Sequence, residues 1–275
     1  MSMQLGSDGT VARKHFKRVT VPNDESLYLS NAVKPFDFKD DEKGEPKLSS
    51  RYKDRNIELL EEGLVAVGHK GWSTVFASPC SRSGKWYYEV VLVESRKELN
   101  FIGNNARDGT SVKGHVRVGY ACRYQAYSIP AGSGDFGYVI SDSDGTIING
   151  GIRRPYACKF GIGDVIGCYI SLEDTDIMLD DPRKDIRLLE HLHNGILCDP
   201  NDPPTRIESP GSYVAFSING VMQAKCQLRV WEGEYHPAIS LYMGATIRIN
   251  FGPTFRYPPP EEYKPCCLMG RPMIP

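Results

Sequence analysis

Residues 85–93 read Lys-Trp-Tyr-Tyr-Glu-Val-Val-Leu-Val, and this run limits the fold more than any other part of the chain. Trp86, Tyr88, Val90 and Leu92 fall on one side at the two-residue period of a strand, so a wide aromatic and aliphatic stripe must be covered by a second sheet. Residues 64–67, 73–77, 115–121, 136–140, 164–172 and 213–218 have the same β-branched and aromatic character. Asn219-Gly220, leading into residues 221–223, predicts a type I′ hairpin. Apolar and polar positions also alternate in residues 238–242 and 246–251, and Met243-Gly244-Ala245 between them predicts a second hairpin. Helical periodicity is confined to residues 181–193, inside a polar interruption at 173–210. The expected architecture is all-β, a two-sheet antiparallel sandwich with long loops and a short helical insertion.

At 275 residues and 40 % hydrophobic content, the chain can bury such a core within one main domain. A formal net charge of -1 supplies no strong global field toward nucleic acid or a membrane, so any such contact must be local. The local candidate is the cluster Arg13, Lys14, Lys17 and Arg18, read first as a solvated tail and second as a nuclear-import or DNA-phosphate patch. Residues 37–55 are charged and lack an apolar period, which reads as a loop. Residues 1–56 are therefore expected as a polar, partly disordered tail and lead-in, 57–260 as the domain, and 261–275 as a short tail. Eight scattered cysteines with no C-x-x-C pair read as buried thiols of a reduced intracellular protein, and Cys266-Cys267 as ordinary tail rather than a redox pair. His191-Leu192-His193 lacks a cysteine partner at finger spacing, so neither metal nor cofactor is expected. No apolar run is long enough to span a bilayer, and no membrane contact is expected.

Gly132-Ser133-Gly134-Asp135-Phe136-Gly137 satisfies G-x-G-x-x-G and contains Asp-Phe-Gly, but it lacks the following helix or the lysine and catalytic-loop partners that phosphate chemistry needs. It reads as a glycine-rich loop rising into a strand. No nucleophile, base and acid are grouped by a recognisable motif, which favours a binding module over an enzyme acting on a small molecule. Arg117 is the physical candidate for binding. If Val116, Val118 and Tyr120 face the core, Arg117 projects from the other face beside Gly119, whose missing side chain leaves room for a carboxylate or phosphate.

Gly84-Lys85-Trp86-Tyr87-Tyr88-Glu89-Val90, Val116-Arg117-Val118-Gly119-Tyr120, Gly163-Asp164-Val165-Ile166-Gly167 and Phe216-Ser217-Ile218-Asn219-Gly220 resemble the motifs of SPRY domains. Gly68-His69-Lys70-Gly71-Trp72-Ser73, Pro237-Ala238-Ile239-Ser240-Leu241-Tyr242 and Asn250-Phe251-Gly252-Pro253 resemble the Ash-two/Bre-two branch, a core subunit of COMPASS-type histone methyltransferases. That resemblance implies a SPRY sandwich in a nuclear, non-catalytic adaptor. Such an adaptor pairs with a β-propeller subunit and stimulates a SET-domain enzyme acting on histone H3 lysine 4. The family's pocket for an acidic, sometimes phosphorylated, partner segment falls on Trp72, Arg117 and Pro130, with Ser133 where a tyrosine is typical. Two flanking basic residues of that pocket fall near Ser141 and Ser143, and Arg123, Arg153 and Arg154 are the candidates to replace the lost charge. With two prolines in residues 264–272, the amphipathic helix by which relatives dock a Dpy-thirty subunit is expected to be absent. A generic SPRY peptide reader in ubiquitin ligation or signalling is the alternative.

Overall fold

The computed structural model describes residues 44–94, 113–124, 126–174 and 206–270. Among them, fifteen strands build two sheets that are antiparallel apart from one short added pairing. The first sheet runs β1 (Leu48–Lys53), β4 (Trp72–Ala77), β13 (His236–Tyr242), β6 (His115–Ala121), β7 (Gly137–Ser141), β8 (Ile147–Asn149), β9 (Ile152–Arg154). The second runs β12 (Val221–Met222), β11 (Tyr213–Ile218), β10 (Val165–Leu172), β5 (Gly84–Val93), β14 (Thr246–Asn250), β3 (Val65–Gly68), β2 (Ile57–Leu60). A short β15 (Lys264–Pro265) adds to β5 in parallel.

The apolar stripe of β5 lies where its period puts it. Tyr88, Val90 and Leu92 are buried between the sheets, with Trp86 half-buried at the end of the row. Val116, Val118 and Tyr120 of β6 and Ile239 and Leu241 of β13 join them from the other sheet. The Tyr88 and Tyr120 rings meet edge to face at 5.2 Å, a favoured aromatic geometry. The Asn219-Gly220 turn has both residues at positive φ, 51° and 80°, as type I′ demands. Asn219 also accepts the Val165 amide at 3.0 Å, tying the hairpin to β10.

The second predicted hairpin does not form. β13 pairs with β4 and β6, whereas β14 pairs with β5 and β3, so the two strands belong to opposite sheets. Met243 and Gly244, at φ 45° and 92°, make the crossing, and Gly244 and Ala245 exchange backbone hydrogen bonds with Gly68. Alternation reports which face of a strand is buried and carries no information about its neighbours, so it could not distinguish a hairpin from a crossover.

Two segments expected outside the sandwich are part of it. Residues 48–53 form β1, with Leu48 and Tyr52 buried. The register shifts between Leu48 and Lys53, and the Ser49 hydroxyl accepts the amides of Arg51 and Tyr52, so an irregularity hides the two-residue period. Past residue 260, β15 and a 3₁₀ turn at Cys266–Leu268 cover the second sheet, and Cys266 and Met269 lie in the core. Burial pushes the Cys266 thiol well up, which suits packing rather than redox exchange. The helix expected at 181–193, His191, His193 and the basic cluster at 13–18 lie outside the described residues.

Candidate functional site

The outward face of the first sheet carries the site. In cross-strand register Trp72 lies opposite Tyr242, and Tyr242 opposite His115; two residues along, Thr74 lies opposite Ser240, and Ser240 opposite Arg117. Because Ser240 is small, the Arg117 side chain can cross the intervening strand, and its guanidinium lies over the Trp72 ring, 4.6 Å from the centroid. Trp72 also packs against Tyr242 with ring centroids 5.3 Å apart, and His115 stacks on Tyr242 at 6.3 Å. Gly119 does not open the space expected beside Arg117. A Cβ there would come 2.0 Å from the Tyr138 carbonyl oxygen, so this glycine admits the backbone of β7 and not a ligand.

The loop that begins at Pro130 closes one side. Ala131 donates its amide to the Ser240 hydroxyl at 2.8 Å and accepts Arg117 Nη1 at 3.3 Å. The Ser133 amide turns back to the Pro130 carbonyl at 3.2 Å. Pro130 and Ser133 thus shape the loop that holds Arg117. Ser141, opposite Arg117 on β7, is buried and shares a 3.0 Å hydrogen bond with Ser143. Arg117 Nε is buried without a hydrogen-bond partner. Burial, assisted by the nearby Arg153 charge and opposed by Asp144, draws the Arg117 pKa down to about 10. At neutral pH the group remains a cation with donors to spare, sheltered on an aromatic floor.

Comparison with known proteins gives what the chain is similar to. No protein-family model matches the chain. It is 27 % identical over 227 residues to the Set1/Ash2 histone methyltransferase complex subunit ash-2 of Caenorhabditis elegans, covering 77 % of this chain and 37 % of the relative. It is also 27 % identical over 208 residues to the corresponding subunit ASH2 of Drosophila melanogaster, covering 74 % and 35 %. The chain is thus similar to Ash2 subunits over about three quarters of its length. It spans about a third of the length of these relatives. Among solved structures, the SPRY domain of human HERC1 aligns over 76 % of this chain and 99 % of its own at 13 % identity, with a TM-score of 0.47.

On this sandwich the substitute arginines fare differently. Arg153 is exposed at the sheet edge and near enough to act on Arg117 electrostatically. Arg154, the next residue of β9, pairs with Ile147, whose side chain is in the inter-sheet core, and by alternation lies on the other face. Arg123 is 2 % exposed, lies 3.8 Å over the Tyr52 ring and hydrogen-bonds His236 Nε2 at 3.2 Å, so it is packed into the buried cluster of Tyr52 and Phe76 farther along this sheet, with its guanidinium shut off from solvent. The sequence reading missed Tyr242, whose place beside Trp72 follows only from the β4–β13 register. It also missed Asp144, which ion-pairs with Arg153 at 2.7 Å. The glycine-rich segment 132–137 feeds β7 directly, with no helix.

One group of possible metal ligands occurs among the described residues, Cys80, Glu234 and His236. His236 Nδ1 bonds the Ala77 carbonyl at 2.9 Å and its Nε2 faces the Arg123 guanidinium, so both ring nitrogens are engaged and a cation is already adjacent. That donor set suits a structural buried pair and not a metal ion.

Proposed function

We propose that this chain is a non-catalytic adaptor of a nuclear, COMPASS-like histone H3 lysine-4 methyltransferase complex. In this reading its Trp72–Arg117 face receives an acidic segment of the β-propeller subunit, and the pair stimulates the SET-domain enzyme. The observation that carries the reading is Arg117 itself, a half-buried guanidinium on an aromatic floor with a buried Nε–H that has no acceptor among the described residues. Kinship with named subunits of Set1/Ash2 histone methyltransferase complexes supports the choice of assembly. The arrangement of cation and aromatic floor suits recognition of negative charge.

A charge-assisted hydrogen bond in such a sheltered place contributes roughly 1.5–3 kcal/mol. Arg117→Ala should therefore weaken binding to the purified propeller subunit by about tenfold to a hundredfold while the thermal melt shows an intact fold. Unchanged affinity in a folded variant would refute the binding role. Purification of the native protein followed by interaction mass spectrometry tests the assembly. SET and propeller subunits are the expected company, and ubiquitin-ligase components would favour the generic SPRY alternative. A weak DNA contact through Arg13, Lys14, Lys17 and Arg18 is a separate part of the proposal, and it fails if salt-dependent duplex binding survives deletion of residues 1–20 unchanged.

A further inference from the structure

The serines opposite Arg117 leave the binding face short of positive charge, and the second cation it does have carries its own counter-ion. Arg153 Nη1 lies 2.7 Å from Asp144 Oδ2 and also donates to the Thr146 hydroxyl at 3.3 Å. The other carboxylate oxygen, Oδ1, accepts the Thr146 amide at 3.1 Å and its hydroxyl at 2.7 Å. Asp144 is therefore fixed in the β7–β8 turn by local hydrogen bonds, with its second oxygen turned to Arg153. That turn adjoins Arg117 directly: Ser141, opposite Arg117 on β7, donates its amide to the Thr146 carbonyl at 3.0 Å and accepts the Gly145 amide at 2.9 Å, which sets the Asp144–Arg153 pair beside the Arg117 cation.

The pair contributes little to stability, because both side chains are about 40 % exposed. Its consequence concerns an incoming anion. An acidic group that approaches Arg117 from solvent finds the neighbouring arginine occupied and a like charge beside it. We infer that Asp144 is an internal competitor for the acidic ligand of this face: it holds Arg153 in the free protein and must yield before both arginines can grip one acidic group. Asp144 thereby sets the affinity of the site. This inference rests on the proposed binding role of Arg117.

The test uses the full chain and a labelled poly-glutamate peptide, read by fluorescence anisotropy at low salt. Asp144→Asn keeps the Oδ1 acceptor for Thr146 while removing the charge, and Asp144→Ser is a second charge-free variant that retains a hydroxyl for the same cap. Removing one like charge from the rim of the site should tighten binding by about threefold to tenfold, with the gain shrinking as salt is added. Arg153→Gln should weaken wild-type binding, and combined with Asp144→Asn it should abolish most of the gain. If wild-type binding depends on Arg117 but neither charge-free variant tightens it, the inference is overturned and the binding role stands. If neither wild type nor Asp144→Asn binds the peptide, both are overturned.

Discussion

Glu89 offers a sharp test of how the family signature works as physics. It sits on β5 at 1 % exposure, with its carboxylate turned away from the inter-sheet core. Oε1 accepts the Tyr257 amide at 2.7 Å and the Tyr87 hydroxyl at 3.2 Å. Oε2 accepts the Arg256 amide at 2.9 Å and Asn250 Nδ2 at 3.2 Å. Asn250 in turn accepts the Gly252 amide at 2.9 Å and donates to the Thr254 carbonyl at 2.9 Å. One buried carboxylate thus wraps the segment after β14 back onto β5. Glu89→Gln preserves size but sets an amide NH₂ against two donors. At least one buried N–H then loses its acceptor, at about 1–3 kcal/mol, and the remaining bonds lose charge assistance, for a total of about 2–4 kcal/mol. With a urea slope of about 2–3 kcal/mol per molar, the unfolding midpoint should fall by about 1 M, followed by tryptophan fluorescence. A midpoint shift under about 0.3 M at unchanged slope would refute this account.

Other consequences can be checked alongside. Arg123→Ala should cost about 2–4 kcal/mol of stability through lost stacking on Tyr52 and lost packing, yet leave the acidic-peptide affinity of the folded protein unchanged. A selective affinity loss with an unaltered melt would return Arg123 to the binding face. Tyr213 on β11 has its hydroxyl 2.8 Å from that of Tyr263 and its ring under the Lys225 ammonium at 3.8 Å. Partial burial opposes its ionisation, but the Tyr263 hydrogen bond and the Lys225 and Lys85 charges outweigh it and hold the phenol below the usual 10.0. Its folded value therefore lies under its unfolded one, so ionised Tyr213 adds stability as pH rises toward 10, and that gain is retained above it. In an alkaline ultraviolet titration, Tyr213→Phe should remove the earliest tyrosinate step; an unchanged first step would sink the assignment.

The stripe Trp86, Tyr88, Val90 and Leu92, the β6 alternation that turns Arg117 outward and the Asn219-Gly220 turn were all readable beforehand, because each is set by a local period or a local backbone demand. Trp72, Arg117 and Pro130 were marked by resemblance, and the fold brings the first two into contact and sets the third in the loop that holds Arg117. Arg123 was misread because an exposed-looking basic residue after a strand gives no sign of a Tyr52 ring waiting 3.8 Å away.

The sequence alone specified a two-sheet β-sandwich with an outward arginine on one strand and a resemblance to Ash2 subunits. Side-chain alternation and turn chemistry act over two to four residues, and they are written in the chain. Tertiary structure decided that residues 236–242 and 246–250 lie in opposite sheets, that Gly119 serves Tyr138, that Tyr242 joins Trp72, and that Asp144 pairs with Arg153. Those outcomes depend on which distant segments pair and in what register. That choice is made by the burial of the whole core, and no local pattern encodes it.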